Sequence, residues 1–410
     1  MRIIFLNRFF YPDHSATSQM LADLAFGLAR MGAVVSVITS RLRYDAQAAR
    51  LPAGERINGV DVLRVWTTGY GRSILLLRAL DYLTFYLASA WALLVAARRG
   101  DVVVAMTDPP MLSVVVLPIA RLRGAKVVNW LQDIFPEVAE ALGVGGPLGK
   151  AAYRALRSVR DASLRSADAN VAIGGLMSQL LIKHGLNPSK LHLIPNWADC
   201  ETVLPIEAAS NPLRAQWGLN GSFVVGYSGN LGRAHEIATM LDAISGIETA
   251  QRLVPAATSI RWLFIGGGAM LEAMRLQAQQ RGLQSVEFRA YQPRERLAES
   301  LSVADVHLVS LRPELEGLIV PSKYYGIAAA GRPAITIGRE DGELARLVVE
   351  NGCGLAIGMG DSIGLMASIL KLSEDKAGVA EMGRKARALC ELQFDKSVAM
   401  AKWAAVIHNL

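Results

Sequence analysis

The 410-residue sequence is poor in cysteine, which limits the covalent and metal-based support that the fold can use. Its three cysteines, Cys200, Cys353 and Cys390, are odd in number and widely spaced. This spacing fits neither a disulfide framework nor a zinc site. The cysteine usage therefore predicts a protein of a reducing compartment, and we expect the cytoplasm.

Charged residues are also scarce, at 19%, whereas 52% of the residues are hydrophobic. This composition predicts a folded chain rather than a disordered one. Since single hydrophobic cores stop growing at roughly 250–300 residues, a chain of this length predicts two domains. The sequence shows neither repeats of 20–50 residues nor low-complexity tracts, which excludes a solenoid.

Several well-known catalytic patterns are missing from the sequence. It has no Gly-x-Ser-x-Gly elbow, no Walker lysine motif, no His-Glu-x-x-His helix and no aspartate pair spaced as a metal clamp, which disfavours hydrolases, ATPases and metalloproteases. The first residues, MRIIFLNRFFYPD, predict a strand rather than a cleaved leader, so no export signal is expected.

The net charge of +7 is concentrated in the first half of the chain. Residues 1–195 contain 22 Lys and Arg against 13 Asp and Glu, whereas residues 196–410 contain 21 against 23. A basic and apolar half favours lipid phosphate or an anionic membrane surface over nucleic acid, with ordinary surface charge as the alternative.

One apolar segment, Tyr82–Ala97, is uncharged for 16 residues. It falls short of the roughly 20 residues that a spanning helix needs. We therefore expect either a buried helix or a helix that lies in the membrane interface, and the sequence does not separate these two possibilities.

Short β-type runs alternate with helical stretches along both halves, which predicts parallel sheets with right-handed crossovers. An irregular, proline-containing stretch after Pro195 interrupts the alternation. The predicted fold class is α/β, with two Rossmann-like, doubly wound domains that face each other across a cleft. Their predicted bounds are 1–195 and 196–395, with a helix in 396–410 that packs back on the first domain.

Candidate site residues in the second domain should follow its strands, because ligands of doubly wound sheets bind beyond the carboxyl ends of the strands. Gly229, Asn230 and Arg233 follow one predicted strand, and Gly267 and Gly268 follow the next. Glycines there allow the backbone to approach a pyrophosphate, and Arg233 offers charge. A plain structural turn is the alternative.

The densest segment runs from Arg312 to Lys323. Pro321 suits the first turn of a helix, Ser322 and nearby N–H groups can hold phosphate, and Lys323 can neutralise it. Glu316 can accept two hydrogen bonds from a ribose or sugar diol. A capped helix with exposed charges is the competing interpretation.

In the first domain, two loops after strands hold the candidate proton-handling residues. His14 and Thr17 follow the first strand, and Gln132, Asp133 and Glu137 follow a later one. His14, Asp133 and Glu137 are the obvious proton-handling or hydroxyl-orienting candidates in these loops, although a lone histidine is more often structural than catalytic.

Over nearly its whole length the chain resembles the retaining glycosyltransferases of family 4, which have the GT-B fold. The resemblance is carried by Glu316-Gly317-Leu318-Ile319-Val320-Pro321, which matches the family's Glu-Gly-φ-Gly-φ-Pro segment except at Ile319, and by GYSGNLG, WLQDIFPE and VPSKYYGIAAAGRP. The last three are similar to the bacterial surface-polysaccharide branch that includes L-fucosamine transferases. The family's second glutamate falls on Tyr324, and its phosphate-binding Arg and Lys fall on Asn230 and Glu236.

This resemblance implies a nucleotide diphosphate sugar donor, with UDP as the expected nucleotide, and a saccharide acceptor on polyprenyl diphosphate at the inner membrane surface. It implies a cytoplasmic protein attached peripherally to that membrane, with no cofactor, no metal and no nucleic acid partner. Arg233 and Lys323 would stabilise the leaving diphosphate, Glu316 would bind donor hydroxyls, and Asp133 and His14 would face the transferred sugar. Further donor contacts are implied for Gly229, Asn230, Gly267, Gly268, Tyr291, Gln292, Gly317, Val320, Pro321 and Ser322, and acceptor contacts for Thr17, Gln132 and Glu137.

Two other functions share this architecture. A non-hydrolysing UDP-sugar 2-epimerase uses the same two-domain fold without a lipid acceptor. A non-catalytic partner of a polysaccharide assembly complex would explain the altered family positions at Tyr324, Asn230 and Glu236. A product assay without acceptor separates the epimerase from the transferase.

Overall fold

The computed structural model describes residues 1–43, 50–71, 74–143, 149–253 and 258–410. The chain divides into two compact units. Unit 1 comprises Met1–Pro195 and Ala399–Leu410, and unit 2 comprises Asn196–Val398. The sequence-based division at residue 395 falls three residues before the end of unit 2.

Unit 1 is built on an eight-stranded sheet of order β3-β4-β2-β1-β5-β6-β7-β8, parallel except for the β3–β4 pair. Its strands are β1 (Arg2–Leu6), β2 (Val34–Ser40), β3 (Gly54–Ile57), β4 (Val60–Val65), β5 (Val102–Ala105), β6 (Lys126–Leu131), β7 (Ala169–Ala172) and β8 (Leu191–Leu193). Its helices are α1 (Ala16–Arg30), α2 (Leu75–Ala96), α3 (Leu112–Leu122), α4 (Glu137–Ala141), α5 (Lys150–Ser166) and α6 (Gly175–Lys183). The central strands are almost wholly buried because helices cover such parallel sheets on both faces.

Unit 2 is built on a six-stranded parallel sheet of order β11-β10-β9-β12-β13-β14. Its strands are β9 (Phe223–Asn230), β10 (Ile260–Gly267), β11 (Val286–Arg289), β12 (Val306–Ser310), β13 (Ala334–Gly338) and β14 (Gly354–Gly358). Its helices are α7 (Pro212–Gln216), α8 (Ala238–Leu253), α9 (Leu271–Gln280), α10 (Leu297–Ser302), α11 (Lys323–Ala329), α12 (Glu343–Glu350), α13 (Ser362–Glu374) and α14 (Lys376–Leu389). The two sheets confirm the predicted pair of Rossmann-like domains.

Each sheet has a point where the strand order reverses, between β1 and β5 in unit 1 and between β9 and β12 in unit 2. At such a point the loops beyond the strands diverge to opposite faces and leave a crevice. We therefore expect ligand-binding residues in the loops that follow these four strands.

Helix α2 contains the uncharged segment Tyr82–Ala97 up to Ala96 and extends it at its amino end. Helix α2 has 22 residues, about 33 Å at 1.5 Å per residue, and Leu76–Ala96 is long and apolar enough to cross a membrane by length and composition. The uncharged segment is shorter than the helix because Arg78 and Asp81 lie within the helix, where Asp81 is buried and accepts hydrogen bonds from the Tyr70 and Gly71 amides. One face of α2, with Phe85 and Leu93, is buried in the core of unit 1.

The last helix, α15 (Lys396–His408), contributes its residues from Ala399 onward to unit 1. Trp403 is fully buried and packs edge-to-face on Trp130 of β6, with ring centroids 4.9 Å apart. Met400 of the same helix fills the space beside Gly27 of α1, where a Cβ would lie 2.6 Å from the methionine sulfur. Unit 1 thus takes part of its core from the end of the chain.

Candidate functional site

The backbones of β9 and β10 lie so close together at their carboxyl ends that no side chain fits between them at Gly266. Gly266 of β10 pairs with Gly229 of β9, and a Cβ on Gly266 would lie 2.2 Å from the Gly229 carbonyl oxygen. Gly266 also has a φ of +138°, a conformation open to glycine. The same holds for Gly268, with a φ of +124° and a Cβ position 2.4 Å from the Leu231 oxygen. Because these glycines lack side chains, the backbones of β9 and β10 can lie close together beside the strand-order reversal.

A half-buried cation lies at this edge. The ammonium of Lys323, at the start of α11, donates to the Tyr227 hydroxyl, to the Asn230 carbonyl at 3.4 Å and to Nε2 of His235 at 3.4 Å. It also lies 3.9 Å from the centroid of the Tyr227 ring. Burial lowers the pKa of Lys323 to about 7. In the described part of the chain no carboxylate lies within ion-pair distance of this ammonium, so its charge has no local counter-ion.

His235 was not singled out by sequence reasoning, yet it contacts Lys323 directly. Its Nδ1 lies 2.5 Å from the carbonyl oxygen of Ser310 at the end of β12. Burial, and next the charge of Lys323, lower the pKa of His235 to about 3. The ring is therefore neutral near pH 7, and because a carbonyl can only accept, Nδ1 carries the proton.

Glu316 belongs to a neighbouring group of residues rather than to the Lys323 group. Its Oε1 accepts a hydrogen bond of 2.8 Å from the Glu343 amide at the start of α12. Burial raises the pKa of the Glu316 carboxyl group. It lines a pocket together with Pro321, Thr336, Gly338 and Arg339. One carboxylate oxygen is occupied by α12, which leaves the other for a ligand hydroxyl.

The remaining predicted donor residues occupy varied positions in unit 2. The exposed ring of Tyr291 lies against Gly267, whose missing Cβ would come within 3.2 Å of it, and Gln292 donates to the Ala290 carbonyl. Arg233 and Asn230 are exposed, Ser322 and Pro321 are half-buried, and Gly317 and Val320 are buried, with Gly317 at a φ of +76°. Glu236, at a position where the family has a cation, instead caps α8 through the Thr239 amide.

The corresponding edge of unit 1 carries acidic groups. Asp133 is half-buried after β6, and its Oδ1 has no hydrogen-bond partner. Burial and, next, the Asp108 carboxylate after β5 raise the pKa of Asp133 to about 7. Asp133 lines a pocket with Thr107, Ser113 and Asn129. A carboxyl group with one unpartnered oxygen and a raised pKa is a candidate hydroxyl-binding or proton-transfer residue.

A buried arginine that the sequence analysis did not identify lies on the same edge of unit 1. Arg8, which follows β1, is 6% exposed and lies 3.4 Å from Asp81 of α2. Its guanidinium lies over the rings of Phe9 and Tyr82 at 5.3 and 5.1 Å. Residues two positions beyond a strand carry no spacing signal of their own, so only the fold reveals this placement.

The other predicted residues of unit 1 are less closely grouped. The side chain of His14 is exposed, and Thr17 and Gln132 are half-buried. Glu137 is engaged in ion pairs with Arg160 at 2.8 Å and Arg157 at 3.4 Å, which connect α4 to α5. Glu137 is thus held in ion pairs between two helices, whereas Asp133 retains an oxygen without a hydrogen-bond partner.

The Asp133→Asn variant is expected to change how stability depends on pH. A raised carboxyl pKa means that the native state holds a proton which the unfolded chain releases between pH 4 and 7, so stability falls as pH rises through this window. Asparagine cannot ionise, and between pH 4 and pH 8 the variant should gain roughly 4 kcal/mol relative to the wild type, about 1.4 kcal/mol for each unit by which the pKa is raised. Thermal unfolding of both proteins from pH 5 to 8 measures this, and a pH-independent difference in melting temperature would contradict it.

Comparison with known proteins assigns both units to the same kind of enzyme. Residues 15–197 match the family described as glycosyl transferase 4-like domain, and residues 222–375 match glycosyl transferases group 1. The sequence is 30% identical over 319 residues to a Pseudomonas aeruginosa protein named probable glycosyltransferase WbjE, covering 77% of this chain and 76% of the relative.

Two further likenesses concern sequence in one case and fold alone in the other. The chain is 31% identical over 236 residues to WcaI of Escherichia coli K12, named for glycosyl transfer in colanic acid biosynthesis, with 56% of this chain and 55% of the relative covered. It is similar in fold to the Anabaena protein HepE, solved in complex with UDP-glucose, with a TM-score of 0.72, 17% identity and full coverage of both chains.

Proposed function

This chain belongs to the glycosyltransferase family with a 4-like first domain and a group 1 second domain, and we propose that it moves a sugar from a UDP-linked donor to a lipid-linked saccharide in bacterial surface polysaccharide synthesis. The observation that carries the donor half of this proposal is Lys323, a half-buried cation at the strand-order reversal of unit 2 that has no counter-ion among the described residues. A diphosphate supplies the missing negative charge. HepE, which has the same fold, was solved with UDP-glucose.

The proposed reaction proceeds with retention of configuration. The bond between the anomeric carbon and the diphosphate oxygen breaks, and the acceptor hydroxyl oxygen bonds to that carbon from the same face. The hydroxyl proton passes to the departing diphosphate, so no metal or cofactor is required by the balance of the step. Lys323 stabilises the charge that develops on the diphosphate, a preorganised electrostatic contribution.

The other predicted residues keep their proposed roles around this step. Glu316 binds a hydroxyl of the donor through its free oxygen, and Arg233, exposed after β9, adds charge beside the diphosphate. Tyr291, whose ring lies against the glycine edge, flanks the base. In unit 1, Asp133 offers its unpartnered oxygen to the transferred sugar or the acceptor, and His14 lies exposed on the loop that precedes α1.

The lipid-linked acceptor is supported by the outer face of α2. Five apolar side chains at helical spacing form one exposed stripe, with exposures between 39% and 78%: Leu76, Leu80, Leu83, Leu87 and Trp91. Contiguous exposed apolar surface on a folded unit marks an interaction surface, and a helix of this kind suits the interface of a bilayer. Because the opposite face is held in the core, α2 attaches to the membrane surface without spanning it.

Positive charge surrounds the carboxyl end of α2. Arg98 and Arg99 follow the helix directly, and Arg121 and Arg123 lie at the end of α3, where Nε of Arg123 donates to the Ala97 carbonyl at 2.9 Å. All four arginines are exposed. This arrangement favours anionic headgroups beside an apolar stripe, as on the cytoplasmic face of an inner membrane.

The Leu83→Asp variant is expected to bind vesicles containing anionic lipid about tenfold more weakly than the wild type, because it removes an exposed leucine from the stripe and adds an anion. Leu276→Asp is the matched control, since Leu276 in α9 of unit 2 is 54% exposed against 51% for Leu83. Sedimentation with vesicles measures both variants. Equal loss in both, or complete release of the wild type by high salt alone, would count against attachment through α2.

A donor and acceptor screen tests the proposed function as a whole. UDP, GDP and dTDP sugars are each incubated with the protein, with and without a polyprenyl diphosphate saccharide, and the products are analysed by mass spectrometry. A heavier lipid that forms only with both substrates supports the proposal. Conversion of a UDP-sugar without acceptor would identify an epimerase instead, and the absence of any nucleotide binding would favour a non-catalytic partner.

A further inference from the structure

Three side chains from two separate segments of unit 2 meet at the strand-order reversal. Tyr227 comes from the interior of β9, His235 from the loop after it, and Lys323 from the start of α11. The Tyr227 hydroxyl donates to the Asn230 carbonyl at 3.1 Å, so its oxygen accepts from Lys323. The ammonium therefore meets three acceptors, and all of them are electrically neutral: Tyr227 Oη, Asn230 O and His235 Nε2.

Each bond of His235 fixes a different end of its ring. Nδ1 donates to the Ser310 carbonyl at 2.5 Å, the shorter of its contacts, and Nε2 is left as an acceptor for Lys323. The Asn230 carbonyl, which also accepts from Lys323, lies beside the ring as well. Burial, and next the charge of Lys323, lower the pKa of His235 and so keep the ring neutral. Ser310 also ties this loop to β12, since its hydroxyl accepts from the Glu236 amide at 3.0 Å. The ring thus links the end of β12 to the ammonium.

We propose that His235 is a positioning residue, which holds the Lys323 ammonium at the donor diphosphate subsite by accepting a hydrogen bond at Nε2 while Ser310 fixes its tautomer. This inference rests on the proposed use of a nucleoside diphosphate donor. A neutral acceptor orients the cation without neutralising it, whereas a carboxylate at this position would compete with the diphosphate. Without His235, the long lysine side chain regains rotamer freedom that binding must then remove.

Two titratable side chains, Tyr227 and His235, contact Lys323 from different sides. Tyr227 lies on the β9 side with its phenol protonated, since burial raises its pKa well above the ordinary value, and Tyr291 is the next titratable group beyond it. His235 lies on the loop side and is neutral near pH 7. Lys323 is therefore the group of this cluster that changes charge near pH 7. UDP binding is expected to weaken in the wild type as pH rises from 7 to 9, because the subsite then loses its proton.

Two substitutions at one position separate positioning from simple structural support. His235→Asn retains a donor for Ser310 and loses the acceptor for Lys323, whereas His235→Gln places an amide oxygen where Nε2 lies and loses the Ser310 bond. Titration calorimetry with UDP at pH 7 is expected to give about a tenfold higher Kd for His235→Asn and a Kd within about threefold of the wild type for His235→Gln. Matched melting temperatures establish that both variants are folded.

The opposite order, with His235→Gln the weaker binder, or equal binding by all three proteins, would overturn the inference while leaving the proposed function intact. A wild type that binds no nucleoside diphosphate would refute the proposed function and this inference together. A second measurement needs no variant to fold well. Nitrogen NMR of the histidine-labelled wild type should show a neutral Nδ1–H ring between pH 5.5 and 8 whose Nε2 resonance moves when UDP is added. The buried ring of His307, whose Nε2 donates to the Leu301 carbonyl at 2.8 Å, should give a separate neutral Nε2–H signal that UDP leaves in place. An Nε2–H tautomer for the ring that responds to UDP would refute the assignment.

Discussion

The Lys323→Ala variant is expected to lower the rate of sugar transfer by about 10²- to 10³-fold, the range found when one preorganised electrostatic group is removed from an active site. Lys323 is the half-buried cation at the strand-order reversal of unit 2, and the partners of its ammonium among the described residues are neutral. The loss should fall mainly on kcat, because charge on the diphosphate grows as the sugar leaves. Steady-state kinetics with the donor identified by the screen measures it.

Lys371→Ala provides the matched control for this experiment. Lys371 is an exposed lysine near the end of α13 in the same unit, so the variant removes the same charge from a surface position. Its kcat should stay within about twofold of the wild type. Surface substitutions usually change the free energy of unfolding by less than about 0.5 kcal/mol, so this variant should remain folded and keep the donor subsite intact. Similar losses in both variants would show that Lys323 acts only through net charge.

The Gly266→Ala variant is expected to lose at least about 3 kcal/mol of unfolding free energy and to abolish UDP binding. The new methyl group would lie 2.2 Å from the Gly229 carbonyl oxygen, a contact between two paired strands that can separate only by breaking their register. The residue would also keep a φ of +138°, which costs a further 1–2 kcal/mol or so. Chemical denaturation and calorimetry with UDP measure the two effects.

Gly282→Ala separates the backbone cost from the steric clash. Gly282 has a φ of +68°, and no atom lies within 4 Å of its Cβ position. This variant should lose about 1 kcal/mol and bind UDP normally. If Gly266→Ala behaves like Gly282→Ala, the close approach of β9 and β10 is not needed for the donor subsite.

The alternation of strands and helices was predictable because the buried parallel strands are continuous apolar runs, as Val102–Ala105 and Phe223–Tyr227 illustrate. The antiparallel β3 was missed, although Asn58-Gly59 between β3 and β4 gives a strong hairpin signal, with both residues at positive φ. Its sequence, Gly-Glu-Arg-Ile, is too polar and short to show alternation. Edge strands are the least specified by hydrophobic pattern.

The candidate site was partly predictable for the same reason that the sheets were. Lys323 and Gly267 follow strands, so their place at the carboxyl edge is fixed once the strands are known. His235 could not be found in this way, because its significance lies in a contact with Lys323, 88 residues away in the sequence. The partners of Glu137 were equally hidden, since Arg157 and Arg160 lie on a later helix whose facing side depends on tertiary packing.

The return of the chain to unit 1 has a consequence for its biosynthesis. Trp403 and Met400 enter unit 1 only after the whole of unit 2, residues 196–398, has been translated. At about 5–20 residues per second, the ribosome needs roughly 10–40 s for that stretch. During this interval the nascent first unit presents Trp130 without its cover, so we expect it to be a client of chaperones that bind exposed aromatic surface until the last helix arrives.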